Sequence, residues 1–198
     1  MSGRWTALDG DSKLIISYRV DRRDEDAAQN FIHDLCMRLA NRVQLTTDGH
    51  SVYLNAVEDA FGADVDYAML IKVYGKEGQT KEDSHRYSPA ECTGTQKRKK
   101  IGSPVRGDIS TSYVERMNLN IRMEVRRFTR LTSAFSKKVE NHAHAMAIYF
   151  MYYNYGRIHQ KLRVTPAMQA KLTDHVWSLE EIAALAEPVK KTAETVTN

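Results

Sequence analysis

The sequence predicts a single α/β domain, a mixed β-sheet with helices packed against it. Three observations predict it. Short β-prone runs near the N-terminus alternate apolar with polar residues. Longer runs repeat apolar residues every three or four positions. The two patterns follow one another as hairpin, helix, strand, helix, strand and then helices. The chain has 198 residues, 42% of them hydrophobic, with 10 Gly and 4 Pro, which excludes low-complexity and collagen-like classes and allows a substantial buried core.

Trp5 to Leu8 and Leu14 to Val20 flank Asp9-Gly10-Asp11-Ser12, so residues 4–20 read as a hairpin. Residues 24–42 read as a helix, with Ala28, Phe31, Ile32, Leu35 and Leu39 on its apolar face and Asp24, Glu25 and Asp26 at its positive end. Val43 to Thr47 is a short strand ending at Asp48-Gly49. Ser51 to Phe61 is a short helix with Gly62 as its cap, and residues 66–74 form a strand with Tyr67, Met69, Ile71 and Val73 alternating. Residues 75–112 carry Gly, Pro, Ser, Thr and a Lys-Arg run without a period, and read as a long irregular insertion. Two helices follow, at about 113–131 (Met117, Ile121, Val125, Phe128) and 134–155 (Val139, Ala143, Met146, Ala147, Phe150, Tyr153). A last short helix starts at Ser178, with Glu181 completing a capping box. The domain is therefore expected over 1–187, with 188–198 as a flexible tail.

Net charge is +4. The excess is concentrated between Lys97 and Lys138, where Lys97, Arg98, Lys99, Lys100, Arg122, Arg126 and their neighbours face only Asp108, Glu115 and Glu124. A basic stripe confined to one segment suits a nucleic-acid backbone, although a solvated helix face would read the same way. No apolar run is long enough to span a bilayer and no signal core opens the chain. Cys36 and Cys92 form no CxxC and no disulfide framework, which points to a reducing cytoplasm. His85, Cys92, His142 and His144 lack metal-ligand spacing, and His159 reads as structural.

Two carboxylates stand out. Asp48 ends a strand at the carboxyl edge of the sheet, where open α/β sheets place ligands; read alone, Asp-Gly is also simply a turn. Glu115 lies in the first turn of its helix. By helical period it shares a face with Asn118, Leu119, Arg122 and Arg126. A first-turn acid is favoured by the helix dipole in any case. The string Tyr153-Asn154-Tyr155-Gly156-Arg157 through Thr165-Pro166 has its own structural reading, in which Pro166 opens a helix that Thr165 caps.

In their order, TTDGHSVY (46–53), YVERMNLNIRM (113–123) and YNYGRIHQKLRVTP (153–166) resemble the DDE transposases of small bacterial insertion sequences, of the insertion-sequence-one type. The resemblance runs over about residues 4–185. It implies an RNase H-like core and Mg²⁺-dependent cutting and joining of DNA, in which three carboxylates hold two ions on the scissile phosphate. Asp48 would be the second carboxylate, Glu115 the third, and both would be metal ligands. Arg122, seven positions after Glu115, would hold substrate DNA, with Arg126 and Lys97 to Lys100 as further DNA contacts. In the family the first Asp lies on a strand before the hairpin; here Asp9 and Asp11 lie in the hairpin turn. The resemblance therefore predicts a core that lacks its first strand, with four strands where the family has five, and thus a truncated transposase. The alternative is a non-catalytic DNA-binding fragment that pairs with, or inhibits, a full-length transposase; a homodimer is a further expected assembly.

Overall fold

The structure is a computed structural model and describes residues 3–74, 92–128 and 138–185. The expected tail and the whole of 75–91 lie outside the described residues, as do residues 129–137 between the two long helices.

Strands β1 (Gly3–Leu8) and β2 (Ile15–Asp21) form the expected antiparallel hairpin, with Gly3 opposite Asp21 and Leu8 opposite Ile15. Asp9 organises its turn by accepting the backbone N–H of Ser12 at 2.8 Å, and Lys13 closes it at φ 62°. Asp9 is thus a turn residue, as the sequence indicates. Helix α1 (Glu25–Met37) starts at Asp24, whose carboxylate accepts the Ala27 N–H at 3.0 Å. It buries Ala27, Ala28, Phe31, Ile32 and Leu35. Strand β3 (Val43–Asp48) leads to α2 (Val52–Phe61), which Gly62 ends at φ 54°. Strand β4 (Val65–Tyr74) lies parallel to β3, with Asp48 opposite Leu70.

The next element corrects the sequence reading. Residues 92–101 are not irregular: they form β5 (Cys92–Ile101), antiparallel to β4, with Lys97 opposite Leu70 and Lys99 opposite Ala68. No apolar face marks this strand because it is an edge strand with both faces largely in solvent, and lysines on an edge also oppose pairing with other chains. Gly102 turns the chain directly after it, at φ 65°; a Cβ there would sit 2.2 Å from Asp66 Oδ1. Residue 102 must therefore be glycine for both conformation and space.

The strands form two sheets, β1-β2 and β3-β4-β5, rather than one, and the second is mixed. Two helical layers cover them. On one side α1 and α2 bury Trp5, Phe31, Ile32, Leu35, Val57, Tyr67 and Met69. The alternate residues of the strands face the other way. Ile15 packs with Met117, Ile121, Met146, Phe150 and Tyr153 from the later helices, and Ala68 and Leu70 pack with Ile109. Burial of β4 on both faces explains its near-continuous apolar run.

Helix α3 (Ser112–Glu124) ends earlier than its sequence period suggests, because Val125 is extended and Arg126–Phe128 form a single 3₁₀ turn. Helix α4 (Val139–Met151) runs into a π-helical turn, Tyr152–Gly156. Asn154 in that turn holds β2: its Oδ1 accepts the Ile15 N–H at 3.0 Å, and its Nδ2 donates to the Ile15 carbonyl at 3.0 Å. Short helices α5 (Pro166–Gln169), capped by the fully buried Thr165, and α6 (Leu179–Ala184), with the Ser178–Glu181 capping box, close the described chain as expected.

Candidate nucleic-acid and metal site

Asp48 is exposed at the carboxyl end of β3, and its Oδ1 accepts the backbone N–H of His50 at 3.1 Å. The turn role and the sheet-edge position therefore coincide in one residue. Beside it opens a pocket of about 90 Å³ lined by β1 (Arg4, Trp5, Thr6), Arg23, the Asp48–Tyr53 segment and two residues of α3, Val114 and Asn118. Trp5 anchors its floor. The Trp5 indole donates to the Arg22 carbonyl at 3.0 Å and packs edge-on against Tyr53, with ring centroids 5.4 Å apart.

Glu115 lies on α3 between the two helix residues that line this pocket. Its Oε2 is 2.7 Å from Lys72 Nζ, and its Oε1 accepts the Thr111 hydroxyl at 2.7 Å. Partial burial raises the pKa of this carboxyl, but the hydrogen bonds from Lys72 and Thr111 outweigh that and hold it below the ordinary carboxylate value. The bond to Glu115 correspondingly raises the Lys72 pKa. Strand register ties this pair to Asp48. Asp48 is opposite Leu70, Lys72 is two residues further along β4, and alternation puts all three on one face of the sheet. The same rule puts Lys97 and Lys99 of β5 on that face and Arg98 on the opposite one.

The remaining basic residues divide. Arg122 belongs to the last turn of α3. Arg126 does not continue its face, because the helix is broken at Val125. The expected helical row Glu115–Asn118–Arg122–Arg126 is thus correct for its first three polar members and wrong for the fourth. Lys97, Arg98, Lys99 and Lys100 lie along a strand, not in a loop, and Lys97 donates to the Arg106 carbonyl at 2.8 Å.

Asp48 and Glu115 supply the hard oxygen donors that Mg²⁺ requires. Yet Glu115 is engaged by Lys72 and Thr111, and among the described residues no group of three or more His, Cys, Asp or Glu gathers to hold an ion. The described residues do not fit a complete two-ion centre. His159 takes part in a tight turn, receiving the Arg163 N–H at 2.8 Å and donating its own to Val164 at 2.9 Å. Burial, then the nearby Lys13, holds its pKa below the ordinary histidine value.

Residues 91–156 match the IS1 transposase family. The matched segment is about a third of the chain and spans β5, α3, α4 and the π turn. It contains Glu115, Arg122, Arg126 and the Lys97–Lys100 run; Asp48 lies outside it. The resemblance drawn from the sequence motifs holds over this IS1-transposase segment. Comparison with curated proteins and with solved structures gave no match. Among the described residues, no helix is long and apolar enough to cross a membrane.

Much of the motif that follows Tyr153 is structural. Asn154 pins β2, Tyr153 is buried, and Arg157 pairs with Glu124, which also accepts the Tyr149 hydroxyl at 2.7 Å. Gly156 is needed for space, since a Cβ there would meet the Tyr152 ring at 2.8 Å. The residues that sequence reasoning missed are Lys72, Arg4 and Arg23. Each reaches the site from a distant part of the chain, so no local spacing could have found them.

Proposed function

We propose that the chain acts on DNA as an IS1-type transposase, through an RNase H-like core in which Asp48 and Glu115 are two of the catalytic, metal-holding carboxylates. The observation that carries this reading is the position of Glu115 and Arg122. Both lie in the family-matched segment, and Lys72 links Glu115 to the sheet face and edge occupied by Asp48. Asp48 and Glu115 would hold Mg²⁺, which would supply the charge stabilisation that strand cleavage and transfer need. Arg122, Arg126 and Lys97 to Lys100 bind backbone phosphates of insertion-sequence ends and target DNA. The protein works in the cytoplasm, as one compact domain over residues 1–187.

A second reading is favoured by the Lys72–Glu115 ion pair and by the absence of a three-carboxylate group among the described residues. Here the chain binds DNA without turnover and pairs with a second copy or a full-length transposase. A joining assay separates the two, using insertion-end DNA with Mg²⁺ or Mn²⁺. Joining that Asp48→Asn and Glu115→Gln each abolish supports catalysis. Salt-sensitive duplex binding with no joining, unchanged in Glu115→Gln, supports the second reading. No duplex binding at low salt overturns both.

A further inference from the structure

Of the six arginines in residues 3–74, three have acidic partners: Arg19 pairs with Asp21, Arg38 with Asp34 and Arg42 with Asp66. Arg4 and Arg23 differ. Neither makes an ion pair among the described residues, and both line the pocket beside Asp48. Arg4 Nη1 is buried with no hydrogen-bond partner among the described residues. A buried, unanswered guanidinium nitrogen is costly, and native structures rarely leave one without a protein group, water or ligand to receive it.

Among the described residues, none neutralises it. The Arg4 guanidinium lies 4.6 Å from the centroid of the Phe128 ring, which orients it without accepting a conventional hydrogen bond. Burial, followed by the nearby charges of Arg122 and Arg23, holds its pKa below the usual arginine value. Like charges have therefore been gathered here from three separate places in the chain. The exposed Arg23 runs its stem close over Gly3: a Cβ there would sit 2.6 Å from Arg23 Cγ, so the glycine makes room for it.

We propose that this pocket is a seat for a phosphate-class oxyanion, with Arg4 and Arg23 as its cationic donors. The planar forked donor set of arginine matches the oxygens of phosphate. The hydroxyls of Thr6 and Tyr53 and the amide of Asn118 also line the pocket, while Asp48 is its one carboxylate. Its volume, about 90 Å³, holds roughly three waters, the scale of one tetrahedral oxyanion. Asp48 repels an anion, so the seat is placed on the Arg4 side, away from the exposed carboxylate. The proposal stands on the pocket itself and does not require that the chain transposes DNA. The oxyanion has two sources, free phosphate or a phosphodiester of a nucleic-acid strand.

Thermal unfolding of the whole chain tests it, with inorganic phosphate titrated against sodium chloride at matched ionic strength. The expected result is a saturable rise in Tm specific to phosphate. Arg23→Gln alters an exposed side chain, and Arg4→Met removes the guanidinium while keeping an unbranched apolar stem. Each should weaken phosphate about tenfold or more, the effect of losing one charge-assisted hydrogen bond. Circular dichroism checks that each variant is folded. A short labelled duplex then identifies the source. If phosphate displaces it, and both variants bind it more weakly, the seat takes the DNA backbone. If duplex binding is indifferent to phosphate and to both variants while the Tm response persists, the seat takes free phosphate. No phosphate-specific Tm rise, or a rise that both variants retain, overturns the proposal; the cleft would then be better explained as a place for a peptide strand against the free edges of β1 and β3.

Discussion

Replacing Asn154 with leucine tests how the family-matched helices are attached to the N-terminal hairpin. The Asn154 side chain makes two hydrogen bonds to the backbone of Ile15, both 3.0 Å, across 139 positions of sequence. Ile15 is only 5% exposed, so its N–H and carbonyl have little access to water once the amide is gone. Leucine keeps the same branched outline with bulkier methyl groups and leaves no cavity, so the polar loss dominates. Each orphaned backbone group costs about 1–3 kcal/mol. Some water entry is expected, since Asn154 itself is half-buried, and this places the sum near ~2–4 kcal/mol. With a urea m-value of about 2 kcal/mol/M, the unfolding midpoint should fall by roughly 1–2 M at unchanged m. The measurement is equilibrium unfolding by tryptophan fluorescence, since Trp5 lies in the core of the hairpin layer. A cost below about 0.5 kcal/mol, no more than an ordinary surface change, would refute the inference that this amide joins the two parts.

Three further outcomes are expected. The Lys72–Glu115 pair is half-exposed and worth at most about 1 kcal/mol. The folded-state pKa of Glu115 is lowered, so its share is full above the ordinary value of 4.5 and is lost as pH falls through the folded value. That of Lys72 is raised, so its share is full below 10.5 and is lost as pH rises through the folded value. Urea unfolding should thus show Lys72→Met destabilising at neutral pH, with the difference shrinking as pH falls below 4.5 and through the folded value, and a pH-independent difference would contradict the pairing. Gly102→Ala should destabilise by more than ~1 kcal/mol, from positive φ and from the clash with Asp66; an unchanged Tm would count against the turn geometry. In fluorescence anisotropy on duplex DNA, Arg122→Ala or Arg126→Ala should each weaken binding and reduce the log–log salt slope by about 0.9, the value for one phosphate contact, whereas an unchanged slope removes that residue from the interface.

What the sequence makes legible is what periodicity can carry. The four expected strands and the apolar face of α1 recur in the structure because each buries at least one face, and burial leaves an apolar pattern that the sequence shows. Strand β5 was illegible for the opposite reason. It lies at a sheet edge with Lys97 to Lys100 in solvent, so nothing in its pattern distinguishes strand from loop. The extent of α3 was overread because Val125 and Phe128 keep the helical spacing and still pack against the same cluster, although the backbone has left the helix. Side-chain spacing reports which residues reach the core, and a 3₁₀ turn after one extended residue can deliver Phe128 there as well as another helical turn could.

The candidate site shows the same division more sharply. Asp48 and Glu115 were nameable because a strand end and a first helical turn are local features. The use made of Glu115 was not, because Lys72 comes from β4 and meets it only after α3 packs across the sheet. That contact changes the chemistry available at the edge. The Glu115 carboxylate keeps free lone pairs, but the Lys72 ammonium on it repels a divalent ion, so ion binding here competes with a contact that ties α3 to β4. A second carboxylate brought close to Glu115 would shift that competition, because repulsion between two anions strengthens the case for a bridging dication over a single ammonium. In the proposed catalytic reading, a further acidic group beside Glu115 would tip that competition toward the dication, whereas in the DNA-binding reading the Lys72–Glu115 contact persists.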